Sequence, residues 1–204
     1  MTLRAGWLVW GLVTTGCVKA QASTAFVQPS QHRAATPEPP FGEQIARVAA
    51  YTLKHYPKGF RDDCSGFVEA TFARVGLPLR GSTAMLWDVA ASKGWTHRQA
   101  VPQTGDLAFF DHTYDRNGNG RKDDELSHIA IVLGVTKDGT VHLAHAGTSR
   151  GRSRFVMNLV RPYDRHDGRG HRINDALRRR GENGSADGTL ASELLRGFAS
   201  VPRP

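Results

Sequence analysis

The stretch Arg61-Asp62-Asp63-Cys64-Ser65-Gly66 sets a thiol directly behind two carboxylates. A cysteine in that position is a disulfide partner, a metal ligand or a nucleophile. Only one other cysteine exists, Cys17 near the N-terminus, and there is no C-x-x-C spacing. Two such cysteines build neither a zinc ribbon nor a disulfide framework, so the nucleophile is the reading that remains. A nucleophilic thiol needs a base, and the base needs a group that orients it. Ser127-His128-Ile129-Ala130-Ile131-Val132 offers a histidine at the edge of an apolar run, and the next apolar run, Val141-His142-Leu143-Ala144-His145-Ala146, offers two more. Such a set can attack an amide carbonyl and release the acyl group to water.

Those residues must be carried by elements that bring them together. Asp63 is a good N-cap, and Phe67, Val68, Thr71, Phe72 and Val75 follow helical spacing from Cys64 until Gly76, so the thiol is predicted in the first turn of a helix. There the unpaired amides and the positive end of the helix dipole favour thiolate, and Gly66 leaves the sulfur approachable. Two further helices are predicted, one over 43–55 stopped by Pro57 and Gly59, and one from a Ser82 cap to Gly94. After Pro102 the texture changes to strands, predicted at 106–110, 128–135, 140–146 and 154–161 with turn residues between them. Helices first and an antiparallel meander second give an α+β fold with the N-terminal helices packed on the sheet. On a regular strand His142 and His145 face opposite sides, so only one of them can serve the site.

With 204 residues, 39% of them hydrophobic, the chain suits one globular domain with unstructured flanks. Met1 to Gly16 has the charged start, apolar middle and small-residue end of a secretion signal, and Gly16-Cys17 is similar to the end of a lipobox. The expectation is export to the cell envelope, with Cys17 as lipid anchor or with simple secretion. Residues 17–40, rich in Ala, Ser, Thr, Gln and Pro, read as a tether, 41–163 as the domain, and 164–204 as a basic, partly ordered tail with weak helical pieces at 173–180 and 190–198. The net charge is +8, and ten arginines against three aspartates between Gly147 and Arg180 make that segment basic. An exported protein meets anionic wall polymers or membrane surfaces before nucleic acid, so the former are the expected partners, set against a basic face that only aids solubility. A monomer is expected.

Four ordered blocks carry a family resemblance: Asp63-Cys64-Ser65-Gly66-Phe67-Val68, Gly105-Asp106-Leu107-Ala108-Phe109-Phe110, Ser127-His128-Ile129-Ala130-Ile131-Val132-Leu133-Gly134 and Leu143-Ala144-His145-Ala146. They resemble the NlpC-type cell-wall peptidases, papain-like enzymes that cut peptidoglycan stem peptides, over about residues 43–163. The resemblance implies a papain-like fold, Cys64 as nucleophile, His128 as general base and acid, and His145 as the orienting residue. Asp63 and Ser65 beside the thiol are the candidate substrate contacts, and no cofactor is required for catalysis. Two departures stand out. The segment Tyr56-Pro57-Lys58-Gly59-Phe60-Arg61 lacks the family's Trp-Gly-Gly-like stretch, and Asp111 to Ser127 is an insertion. Alternatives are an amidase or acyltransferase of the same cysteine-histidine superfamily, including the CHAP type, or a non-catalytic wall-binding lipoprotein.

The insertion contains Asp115-Arg116-Asn117-Gly118-Asn119-Gly120-Arg121-Lys122-Asp123, which has the oxygen spacing that opens an EF-hand-like calcium loop. Asp115, Asn117, Asn119 and Asp123 would be the ligands of a structural calcium ion. Leu126 stands where the bidentate glutamate of a full EF-hand would be, and a polar hairpin turn is the competing reading.

Overall fold

A computed structural model describes residues 38–98, 101–148, 150–178 and 189–203. The expected signal segment, Cys17 and the tether up to residue 37 lie outside them. The first helix, α1 (Phe41–Thr52), buries Ile45, Ala46, Ala49 and Thr52 along one stripe. The second, α2 (Cys64–Arg74), starts at the Asp63 cap, whose carboxylate accepts the Gly66 amide at 2.6 Å, and buries Phe67, Val68, Thr71 and Phe72. Ser82 caps the third, α3 (Thr83–Ser92), through the Met85 amide at 3.3 Å. Each wholly buried phenylalanine is worth about 2–3 kcal/mol of apolar burial, which makes α2 the best-anchored of the three.

Six strands follow: β1 (Thr96–His97), β2 (Leu107–Phe110), β3 (His128–Val135), β4 (Thr140–Thr148), β5 (Gly151–Asn158) and β6 (Leu195–Ala199). They form one sheet in the order β1-β6-β2-β3-β4-β5, with every neighbouring pair antiparallel. Side chains alternate between the two faces. Leu107, Phe109, Ile129, Ile131 and Ala144 pack with the helices, whereas Ala108, Phe110, Ala130, Val132, Leu143, Phe155 and Met157 pack on the other side. The fold is α+β, with helices on one face of an antiparallel sheet, as the sequence predicts. β5 starts and ends three residues before its predicted bounds, and at its end the Asn158 side-chain Oδ1 accepts the amides of Val160 and Arg161 and turns the chain there.

The C-terminal segment corrects the expected domain limits. Leu195–Ala199 is a strand between β1 and β2, not part of a helix, and Ala191, Leu194 and Phe198 close the second core. The apolar spacing at Leu190, Leu194 and Phe198 imitates a helix, but the open edge of β2 offers backbone partners and sheet pairing prevails. Residues 173–178 likewise form no helix; Ala176 makes an isolated bridge to Leu190. Arg179 and Arg180 lie outside the described residues. The folded unit therefore runs from α1 through β6, well past residue 163. Its far end is tied by Asp106, 2% exposed, which bonds Ser200 Oγ at 2.7 Å and His97 Nε2 at 3.1 Å.

Candidate active site

The start of α2, the start of β3 and the end of β4 converge on Cys64. The thiol, 9% exposed and free of any disulfide, lies at the first position of α2. Thr83 Oγ1, at the first position of α3, lies 3.8 Å from the sulfur, and the backbone amides of Ile129 and Ser65 also point to it. Ile129 directly follows His128, so the sulfur lies against the backbone at the start of β3. Among the described residues there is no Cys64–His128 hydrogen bond; apo cysteine-histidine pairs are often long and close only on substrate.

Behind His128 runs a chain of three side chains on three adjacent strands. His128 Nε2 lies 2.8 Å from His145 Nδ1, and His145 Nε2 lies 3.0 Å from Ser153 Oγ. His145 and Ser153 are directly paired across β4 and β5. With His128 Nε2 held by His145, Nδ1 is the nitrogen left for the thiol. Phe110 and Phe155 pack against the two imidazoles at centroid distances of 6.1 and 4.5 Å, and both rings are buried. His142, by contrast, pairs with Gly134 and lies near the opposite end of β4. The structure thus brings His145 to the site and leaves His142 out.

Burial sets the protonation states. It pushes the Cys64 thiol up, against the smaller lowering effects of Thr83, the Ile129 amide and the Ser65 amide. The expectation of a favoured thiolate is therefore corrected: at 9% exposure the lost hydration of the anion outweighs the helix-start amides. His128 falls well below the ordinary histidine value, first from burial and then from His145. His145 falls to about 4, from burial and the nearby Arg150. The resting pair is neutral thiol and neutral imidazole.

A stability consequence follows from the two histidines. A group whose folded value is depressed contributes stability above its unfolded value, near 6.5, and loses it as pH falls through the folded value. His145 alone should cost on the order of 3 kcal/mol between pH 6.5 and 4, and His128 adds in the same direction. Melting temperature is expected to fall steeply over that interval, and His145→Asn should flatten the decline; an unchanged slope would contradict the neutral buried pair.

Ser153 is the site residue that the sequence does not reveal, since a lone serine between Arg152 and Arg154 has no motif. If His128 Nε2–H donates to His145 Nδ1, then His145 carries its proton on Nε2 and donates it to Ser153 Oγ. In that arrangement Ser153 acts as a positioning residue that fixes the tautomer. Ser153→Ala is expected to lower kcat about tenfold, the worth of one hydrogen bond, with KM unchanged. Ser153→Thr should restore most of the rate, and failure of that rescue would reduce Ser153 to packing.

The remaining predicted residues have structural partners. Asp63 caps α2, and Ser65 Oγ donates to Asp63 at 3.0 Å while accepting from Arg61 Nη2 at 3.1 Å. Gly66 is small for a reason other than access: a Cβ there would stand 1.9 Å from the Arg61 carbonyl oxygen. Tyr56 donates to the Arg61 carbonyl and lies under the Arg152 guanidinium, which also pairs with Asp62. Burial, with Asp62 and Asp63, pushes its phenol up to about 12, so it stays a proton donor.

The insertion has no regular element and is organised by its own amides. Asp115 Oδ1 accepts from Gly118 and Asn119, its Oδ2 accepts from Gly120, and Asn117 Oδ1 accepts from Asn119. Asn119 Nδ2 donates to Asp123 at 3.2 Å, and the buried Asp124 accepts the Arg116 and Asn117 amides. Among the described residues no three His, Cys, Asp or Glu side chains are grouped to hold a metal ion. Thr113 ties the loop to Ser127, next to His128, at 2.9 Å, and Arg196 of β6 pairs with Asp111 and Glu125. Tyr114 follows, 45% exposed; burial raises its phenol, and an ionised Cys64 would raise it further.

No curated protein sequence matches the chain. The stretch just after α1 to Gly147, which contains Cys64, His128 and His145, does match a family: residues 54–147 are similar to the CHAP domain, a peptidoglycan hydrolase domain of the papain-like cysteine peptidase type.

Proposed function

We propose that this chain hydrolyses an amide bond in peptidoglycan stem peptides with Cys64 as nucleophile and His128 as base and acid. The observation that carries the reading is the His128–His145–Ser153 chain at 2.8 and 3.0 Å, which starts one residue before Ile129, whose amide points to a buried thiol free of any disulfide. As Sγ attacks the carbonyl carbon, its proton passes to His128, and the oxyanion is received by amides at the start of α2. The C–N bond then breaks, and His128 returns the proton to the leaving amine. Water, deprotonated by His128, cleaves the thioester and frees Cys64. Neutral partners suit this order, because the proton moves only as the bond forms.

The NlpC-like blocks favour a peptidase acting near D-glutamate, whereas the CHAP match equally supports an amidase that frees the peptide from the glycan. Both readings need export, which the signal-like residues 1–16 would supply. Digestion of purified peptidoglycan, with the new ends identified by mass, decides between them. Free amino acid ends within the peptide support the peptidase, intact stem peptides support the amidase, and no release by wild-type protein sinks both.

A further inference from the structure

The histidine that the catalytic site leaves out lines a different feature. A cleft of about 560 Å³ opens between α1 and the β3–β4 hairpin, lined among others by Glu43, Arg47, Leu133, Val135, His142 and Arg154. It lies away from Cys64: His142 is three residues from His145, about 10 Å along β4 by the strand rise, and Leu133 and Val135 are at the far end of β3 from His128. A bulge between Val132 and Gly134 shapes its floor, and a side chain at Gly134 would meet nothing within 4 Å, so the glycine leaves the cleft open.

Four charged or polar side chains surround an apolar floor. Glu43, Arg47, His142 and Arg154 are all exposed, and none has a hydrogen bond or ion pair with another described residue. Even Glu43 and Arg47, one turn apart on α1, do not pair. Two unpaired guanidiniums can each grip a carboxylate with two hydrogen bonds. Glu43 would repel a polyphosphate but would attract an ammonium group. Cations, one carboxylate and apolar surface in a cleft of this size suit a short zwitterionic peptide.

We propose that this cleft is a second binding site, for a peptide segment bearing both free carboxylates and a free amine; on the proposed function above, on which this identification rests, that segment is a stem peptide other than the one being cut. Arg47 and Arg154 take the carboxylates, Glu43 takes the side-chain amine of the diamino residue, and Leu133 and Val135 support the methylenes between. A second site of this kind would hold the enzyme on a polymer whose stem peptides repeat along each strand and raise the local concentration of the next one.

The test is calorimetric titration, in the Cys64→Ala background so that nothing is cut, with a free tetrapeptide of L-Ala, D-Glu, a diamino acid and D-Ala. Two binding events are expected. Arg47→Glu with Arg154→Glu should remove one of them or weaken it at least tenfold, with the melting curve preserved because both side chains are exposed. Glu43→Gln should weaken the same event for the peptide with a free side-chain amine and leave it unchanged for the peptide acetylated on that side-chain amine. The proposal is overturned if the double variant binds as the parent does, or if inorganic phosphate binds the cleft as tightly as the peptide. If wild-type protein leaves peptidoglycan uncut while the arginine-dependent event persists, the catalytic reading falls and the cleft stands.

Discussion

Cys64→Ala is expected to bring hydrolysis of peptidoglycan to background, a loss of about 10⁵–10⁶ in kcat, the scale seen when a covalent nucleophile is removed. His128→Ala should cost nearly as much, because among the described residues the side chain hydrogen-bonded to the thiol is Thr83 Oγ1 at 3.8 Å, a hydroxyl too weakly basic to take its proton. His145→Ala should leave more activity, since it acts only through His128. The pH profile separates this mechanism from a preformed ion pair. Only unprotonated His128 can take the proton, and burial holds it well below the ordinary histidine value, so the acid limb of kcat/KM should lie below pH 6.5. An acid limb above 6.5, or substantial turnover by Cys64→Ala, would overturn the mechanism.

Much of this arrangement was legible in the residues because short-range rules and the fold agreed. Asp63 is a cap in sequence and in structure, the start of β3 at His128 is where the apolar run begins, and the parity argument that admits only one of His142 and His145 holds because β4 is regular between them. What stayed hidden depends on partners distant in sequence. β6 reads as helix until the edge of β2 is there to receive it, and Ser153 becomes a site residue only through its register with His145. The thiol's protonation is hidden from the sequence for a similar reason. The helix start is visible in the sequence, but the burial that outweighs it comes from Leu126, Ile129, Ala144 and Ala146, which share the Cys64 core. The C-terminal segment is the largest revision. Arg196 and Arg178 hold the insertion through Asp111, Glu125 and the His112 and Lys122 carbonyls, so the last strand helps position the loop that leads into the base.

Gly147→Ala is expected to lower turnover at least a hundredfold, although the residue has no functional group. Gly147 ends the approach of β4 to α2 two residues after His145, with φ of +78°, and a Cβ there would stand 2.9 Å from the Cys64 amide nitrogen and 3.1 Å from the Asp63 Cα. Both contacts are to backbone, so nothing flexible can yield. The first turn of α2 would have to shift, carrying the sulfur and the amide that faces the oxyanion away from His128. Loss of one oxyanion donor costs about 10²–10³ in kcat, and displacement of the nucleophile adds to it. Left-handed backbone strain alone would cost only about 1–2 kcal/mol of stability. Gly76→Ala controls for that strain: it lies just past the other end of α2, with φ of +81° and nothing within 4 Å of its Cβ. Gly76→Ala should therefore lower the melting temperature by a comparable amount and retain wild-type kcat, while Gly147→Ala loses at least a hundredfold. Equal rates in the two variants would mean that β4 does not crowd the Cys64 amide and that the oxyanion is received elsewhere.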